Sequence, residues 1–179
     1  ITQESVRRHI PGQKRQNYRI RVHTTYTLLE AFSKIRNGKI EVKGKRVIVD
    51  VTTNDLRGTR RMARVTPEEV VDRVGKVVAA IKEKGAKGVV ICEAKPMSLL
   101  NVTPFTELLQ QKCLASKVGW CQTQLGIGHL KEDGYHILPS FLQILDATYA
   151  CALCSHGGAC ALPYADLQEV EAPQTARGV

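Results

Sequence analysis

The chain has 179 residues, 43% hydrophobic and 24% charged, so it is long enough for one buried core and lacks the composition of a disordered protein. No apolar run reaches the roughly 18 residues of a transmembrane helix, and the opening residues ITQESVRRHI lack the apolar segment of a signal peptide. The net charge of +9 is concentrated in residues 1–64, which hold 16 Lys and Arg against 5 Asp and Glu. We expect a soluble protein with an anionic partner, either nucleic acid or an acidic membrane, although an evenly solvated basic surface is the simpler alternative.

The cysteines favour an intracellular, cytoplasmic protein with reduced thiols, because a chain of this size does not need disulfides. There are six: Cys92, Cys113, Cys121, Cys151, Cys154 and Cys160. A second interpretation is a metal site at Cys151, Cys154, His156 and Cys160. Zinc sites usually place their first pair on a turn, whereas the segment CALC ends a helical pattern. The sequence therefore predicts neither a metal nor another cofactor.

Strands and helices alternate from the N-terminus. Residues 1–2 are interpreted as the end of a first strand, residues 18–24 as a second strand, and residues 27–36 as a helix that ends at Gly38. The short β-branched run at residues 47–51 predicts a third strand, covered on both faces as in a parallel sheet.

The clearest helix signal is the segment TPEEVVDRVGKVVAAIKEKGA. Thr66 is the predicted N-cap, Pro67 occupies the first turn, Glu69 completes a capping box, and the helix ends near Gly85. One apolar stripe follows the helical period: Val70, Val74, Val77, Val78 and Ile81. Residues 88–92 then predict a fourth buried strand.

The last third continues the alternation. Thr103 and Pro104 begin a predicted helix over residues 103–117, residues 120–125 a fifth strand, and residues 138–154 a final helix. This order indicates a doubly wound α/β sheet with right-handed crossovers in one domain, residues 1–154. Residues 155–179 form a C-terminal extension, either on the surface or disordered.

Candidate catalytic groups occupy the loops that follow the predicted strands. The chemistry of an open α/β sheet lies at the carboxyl ends of its strands. There the chain has Ser5, Asn54, Asp133 and His136. A serine, an amide donor and an Asp/His pair on neighbouring loops are the components of an acyl-transfer site.

These blocks, QES, TTND and DGYH in that order, resemble those of the SGNH (GDSL-type) hydrolase family over residues 1 to about 154. The resemblance implies a flavodoxin-like three-layer sandwich, whose five parallel strands run in the order 2-1-3-4-5 with helices on both faces. It also implies that Ser5 is the nucleophile, His136 the base, Asp133 the group that orients the imidazole, and Asn54 an oxyanion donor. The implied substrate is a small acyl ester.

The chain departs from the family pattern in three places. Gln3 and Glu4 replace the Gly-Asp that precedes the nucleophile, Thr52 replaces a glycine, and residues 22–27 contain no glycine at the second oxyanion donor. The backbone N–H of Thr24 or Thr25 can still serve, but a β-branched residue is a poorer choice where the backbone must approach closely. Removing one oxyanion donor costs about 10²–10³-fold in turnover.

Structural roles compete with catalysis at each position. Ser5 suits a helix N-cap, Asp133 can cap the final helix, and Asn54 with Asp55 can close a turn. The common order of all four groups favours the catalytic interpretation.

The basic half suggests a second function. The chain is similar in its basic surface to the RNA-binding SGNH-like domain of the germ-plasm protein Oskar and to esterase-like domains of LINE-type retrotransposon proteins. That resemblance implies RNA or another polyanion as partner. The candidate contacts are Arg7, Arg8, Lys14, Arg15, Arg19, Arg21, Arg57, Arg60, Arg61 and Arg64. The sequence thus predicts an SGNH-type acyl-ester hydrolase, or a relict of one, with a basic nucleic-acid-binding face; the alternative is a catalytically inactive RNA-binding module.

Overall fold

The computed structural model describes residues 23–123 and 125–142, together with Ile144, Leu145, Thr148, Tyr149 and Ala152. The elements in chain order are α1 (Leu28–Arg36), β1 (Arg46–Val49), α2 (Thr53–Arg57), α3 (Pro67–Glu83), β2 (Gly88–Cys92), α4 (Thr103–Ala115) and β3 (Gly119–Cys121), followed by 3-10 turns at Ile127–His129 and Pro139–Phe141. Described residues from Leu142 to Ala152 are helical.

The three strands form a parallel sheet in the order β1-β2-β3. Val47 pairs with Val89, and Ile91 pairs with Trp120. This arrangement fits a flavodoxin-like sandwich, with three of the five predicted strands present in the described part of the chain. The other two predicted strands lie outside it, except for His23 and Thr24, which have no regular structure.

The sheet separates two apolar clusters. Val89 and Ile91 on β2 belong to a core shared with α1, α3 and α4, whereas Val90 and Cys92 pack with Ala152 of the final helix. Successive strand residues point to opposite faces, so a strand buried on both sides reads as a continuous apolar run. The helices on both faces confirm the predicted layering.

Helix α3 begins and packs as its sequence predicts. Thr66 Oγ1 accepts a hydrogen bond from the backbone N–H of Glu69 at 3.2 Å, and all five residues of the apolar stripe are buried. Gly85 follows the helix with φ +81°, a conformation that favours glycine. The predicted capping box is wrong in one part, because within the described residues the Glu69 carboxylate bonds Arg73 Nε at 3.1 Å instead.

The structure corrects several predicted boundaries. Helix α4 begins at the predicted Thr103 but ends at Ala115, before the predicted Lys117. Strand β3 ends at Cys121, before the predicted Leu125. The segment TTND, predicted as a loop, includes the first residues of the short helix α2.

Candidate active site

Loops from all three strands meet at the carboxyl edge of the sheet. The Ser98 N–H, in the loop after β2, donates to the Gly134 carbonyl in the loop after β3 at 2.9 Å. The Arg57 guanidinium, at the end of α2, lies over the Tyr135 ring, with Cζ 3.8 Å from the ring centroid. The residues predicted after β1 and β3 are therefore close together in the fold.

Asp133 and His136 form a hydrogen-bonded pair. Asp133 Oδ2 lies 2.6 Å from His136 Nδ1, while Oδ1 accepts from the backbone N–H groups of Tyr135 at 3.1 Å and His136 at 3.0 Å. The His136 backbone N–H and imidazole, followed by the Tyr135 N–H, lower the pKa of Asp133 to about 2. The carboxylate is therefore ionised at neutral pH and holds the imidazole by Nδ1, which directs Nε2 away from the pair.

Glycine is required at the turn between these two groups. Gly134 has φ +77°, and a Cβ there would lie 1.9 Å from Ser98 Oγ. The Lys131 N–H closes the loop by donating to the His136 carbonyl at 2.7 Å. The conformation of the DGYH segment thus depends on close contact with the loop after β2.

Asn54 lies in the first turn of α2, directly after β1. Its Nδ2 donates to the Tyr26 carbonyl at 2.8 Å, and its Oδ1 accepts from Arg57 Nη2 at 3.4 Å. The amide has two N–H donors, so the bond to Tyr26 fixes its orientation and leaves a second N–H for a ligand. Tyr26 belongs to the segment in which the second oxyanion donor is expected.

Asp55 is a site-building residue that the sequence interpretation treated only as part of a turn. It is fully buried and accepts hydrogen bonds from the Leu28 N–H and Arg73 Nη1, both at 3.0 Å. These contacts attach α2 to α1 and α3. The signal in the sequence is an acidic side chain four residues after the predicted strand 47–51, because a charge that becomes buried near a sheet edge needs a partner.

The remaining predicted residues divide into two groups. Arg57 is half-buried within the site, whereas Arg60, Arg61 and Arg64 are exposed beyond α2. Reciprocal backbone hydrogen bonds between Thr59 and Met62 form a tight turn around the first two of these. Several predicted residues lie outside the described part of the chain: Ser5, Arg7, Arg8, Lys14, Arg15, Arg19 and Arg21.

A second polar cluster joins the sheet to the final helix. Asp50 Oδ2 lies 2.9 Å from Lys95 Nζ and accepts a hydrogen bond from the Tyr149 hydroxyl. Burial and the nearby Asp50 charge raise the pKa of Tyr149 well above its usual range, so the phenol stays protonated. These contacts connect the end of β1 to the layer on the opposite face of the sheet.

The described cysteines are buried free thiols. Cys92 lies beside Cys121 on the neighbouring strand, and their hydrogen bond together with burial raises the pKa of Cys92. Burial raises the pKa of Cys113 to about 11. No cluster of His, Cys, Asp or Glu suited to a metal occurs among the described residues, and the metal alternative at Cys151, Cys154, His156 and Cys160 lies outside them.

Comparison with known proteins identifies the fold. No protein-family profile and no curated protein matches the chain. Among solved structures, a "putative acylhydrolase" from Bacteroides fragilis matches with a TM-score of 0.58, covering 81% of this chain and 72% of that protein at 12% identity. The chain therefore shares the overall α/β fold of that protein. At this identity the likeness extends to the fold alone, and the function has to be argued from the site.

Within the described residues, no helix combines the length and apolar character needed to cross a bilayer.

Proposed function

We propose that this domain is a serine acyl-ester hydrolase of the SGNH type, with Ser5 as nucleophile. The observation that carries the proposal is the 2.6 Å hydrogen bond between Asp133 and His136, at the sheet edge where Arg57 connects Asn54 to Tyr135. An oriented imidazole beside an amide donor can accept a proton and stabilise an oxyanion.

The N-terminal residues complete the site in this proposal. Residues 1–24 supply two further strands, so that the sheet has five strands in the order 2-1-3-4-5. The first of these strands lies beside β1 and ends just before Ser5. The carboxyl ends of parallel neighbouring strands share one edge, so Ser5 reaches the same edge as Asn54 and His136.

The reaction proceeds through two displacements. His136 Nε2 takes the Ser5 hydroxyl proton as Oγ bonds to the ester carbonyl carbon, and the resulting oxyanion accepts the second N–H of Asn54. The C–O bond to the alcohol then breaks, and His136 returns the proton to the leaving oxygen. Water attacks the acyl-serine by the same route, releasing the acid and restoring Ser5.

Asp133 is a positioning residue in this mechanism. Because its pKa is about 2, it stays anionic throughout and stabilises the imidazolium that forms during each proton transfer.

Hydrolysis of short p-nitrophenyl esters tests the proposal. Wild-type protein should release p-nitrophenol, and Ser5→Ala should reduce the rate to background. Ser33→Ala, at an exposed position on α1, is the matched control and should retain the wild-type rate. Equal rates in the wild type and Ser5→Ala would contradict the proposal.

A second candidate function is RNA binding by a relict of such an enzyme. It is favoured by the exposed arginines beside α2, Arg60, Arg61 and Arg64, and by the +11 net charge of residues 1–64. Phosphate contacts of this kind need no catalytic group. A protein that binds RNA but gives the Ser5→Ala rate on every ester would be such a module.

A further inference from the structure

Arg57 differs from the neighbouring exposed arginines in its side-chain contacts. Its guanidinium is stacked on the Tyr135 ring at 3.8 Å, and Nη2 donates to Asn54 Oδ1 at 3.4 Å. Tyr135 in turn contacts the His136 ring, with centroids 4.1 Å apart. The guanidinium therefore lies between the Asn54 amide and the Tyr135 ring, and Tyr135 connects it to His136.

Two buried polar atoms in the segments that contact Asn54 have no hydrogen-bond partner in the described part of the chain. They are Arg57 Nε and Thr25 Oγ1. Thr25 precedes Tyr26, whose carbonyl accepts from Asn54. Buried donors are almost always paired, so these two unpaired atoms are an unusual feature of the segments around Asn54.

The positive charge of Arg57 also has no carboxylate beside it among the described residues. Two other arginines among the described residues do, since Arg36 pairs with Glu83 and Arg73 pairs with Asp55. No ion pair within 4.0 Å involves Arg57 in the same part of the structure. A half-buried arginine with free donors is well suited to bind a planar or tetrahedral oxyanion.

We propose that Arg57 determines substrate specificity, by binding a carboxylate or phosphate that the ester carries close to its scissile carbonyl. This inference rests on the proposed hydrolase function, and it narrows the substrate class to anionic esters. The Arg57 guanidinium donates to the anion, while the Asn54 amide faces the adjacent carbonyl oxygen. Binding involves no covalent change at Arg57.

A small anion fits these observations better than an RNA backbone. Arg57 is half-buried at the site, so a compact anion can approach its guanidinium more readily than a polymer backbone can. RNA has accessible alternatives in the exposed Arg60 and Arg61 on the adjoining turn. RNA binding at Arg57 is therefore the competing outcome of the test.

The first experiment measures binding without turnover. In 15N-labelled Ser5→Ala protein, the Arg57 Nε–Hε signal is assigned by its disappearance in the double variant with Arg57→Lys, and it is followed during titration with succinate and with inorganic phosphate. Either anion should shift the signal saturably, and the one that binds more tightly identifies carboxylate or phosphate as the preferred group. A signal that neither anion shifts, or that responds only to a single-stranded RNA oligomer, would overturn the proposal.

The second experiment measures selectivity. The kcat/KM for mono-p-nitrophenyl glutarate is divided by that for its neutral methyl ester, after subtracting the Ser5→Ala rate. Because a hydrogen-bonded charge pair is lost, Arg57→Gln should lower this ratio about 10- to 100-fold. Arg57→Lys should give an intermediate ratio, since it keeps the charge but loses the planar fork.

The control removes a charge elsewhere. Lys84→Gln, exposed beyond the end of α3, should leave the ratio at the wild-type value. A ratio that Arg57→Gln does not change, or that Lys84→Gln lowers equally, contradicts a specific role for Arg57. If no ester is hydrolysed but succinate or phosphate shifts the Arg57 signal, the anion site stands and the hydrolase proposal fails.

Discussion

The carboxylate of Asp55 accepts a hydrogen bond from the backbone N–H of Leu28 at 3.0 Å, which ties the helix carrying Asn54 to the start of α1. Its other oxygen accepts from Arg73 Nη1 at 3.0 Å, and the carboxylate is fully buried. Tyr26, just before α1, is bound by the Asn54 side chain. Asp55 therefore positions both segments that are expected to provide oxyanion donors.

Removing the Asp55 carboxylate should destabilise the domain. Asp55→Ala leaves the Leu28 N–H and the Arg73 guanidinium without this partner, and we expect a loss of about 3 kcal/mol in the free energy of unfolding. Urea unfolding followed by circular dichroism measures it. Asp72→Ala, at an exposed position on α3, should change stability by less than about 0.5 kcal/mol. Equal effects at both positions would show that the Asp55 contacts contribute little.

Asp133→Asn should reduce turnover without unfolding the domain. If His136 is the base, losing the carboxylate disturbs its tautomer and its imidazolium form, and kcat should fall about 10²–10⁴-fold. Because Asp133 is exposed, the thermal midpoint should change little. The adjacent Glu132→Gln, also exposed, is the control for charge and should keep the wild-type kcat. A wild-type kcat in Asp133→Asn would exclude Asp133 from the mechanism.

The ionisation of Asp133 should be measurably shifted. The folded-state pKa lies below the ordinary 3.8, so the pair stabilises the fold above that value, and the contribution disappears as pH falls toward about 2. A 13C NMR titration of the carboxyl carbon should give a midpoint near 2. His136→Ala should raise the midpoint only part of the way to 3.8, because the backbone N–H of residue 136 still donates.

His129→Ala is the control for that titration. His129 Nδ1 accepts from the Gly126 N–H at 2.9 Å and does not contact Asp133 in the described structure. It should leave the Asp133 midpoint unchanged, and an ordinary midpoint near 3.8 in the wild-type protein would mean that the 2.6 Å pair is not formed in solution.

Gly134→Ala should displace the DGYH loop. The new Cβ would lie 1.9 Å from Ser98 Oγ, at a residue whose φ of +77° disfavours alanine. We expect a loss of at least about 1–2 kcal/mol in unfolding free energy from the backbone alone. Adding Ser98→Ala removes the hydroxyl contact and should recover part of the stability. Full recovery would mean that backbone strain is absent.

RNA binding should depend on where positive charge lies as well as on its amount. If residues 1–64 form a basic face, log affinity for single-stranded RNA should fall by about 0.7 per phosphate contact for each tenfold rise in salt. Replacing Arg60 and Arg61 by Glu should weaken binding to all sequences, as measured by fluorescence anisotropy. The same change at Lys82 and Lys84, at the end of α3, should have much less effect, whereas equal weakening would indicate that net charge alone is responsible.

The sequence by itself determined the elements whose signals lie within a few residues of one another. The Thr66 cap and the valine stripe of α3 depend on contacts three or four residues apart, and β2 is a continuous apolar run between glycine and polar residues. The Asp133–His136 pair belongs to the same class, because its hydrogen bonds span three residues.

Only the tertiary structure decided which loops meet and which charges are buried. Asp55 receives Leu28 and Arg73 from other elements, and Arg57 is stacked on a tyrosine that follows β3. The residues next to Asp55 and Arg57 in sequence do not indicate these partners, so the sequence alone predicts a turn residue at Asp55 and an exposed basic residue at Arg57. The physical reason is that burial and charge pairing depend on chain segments brought together by packing, whereas caps and apolar periods depend on neighbours in sequence.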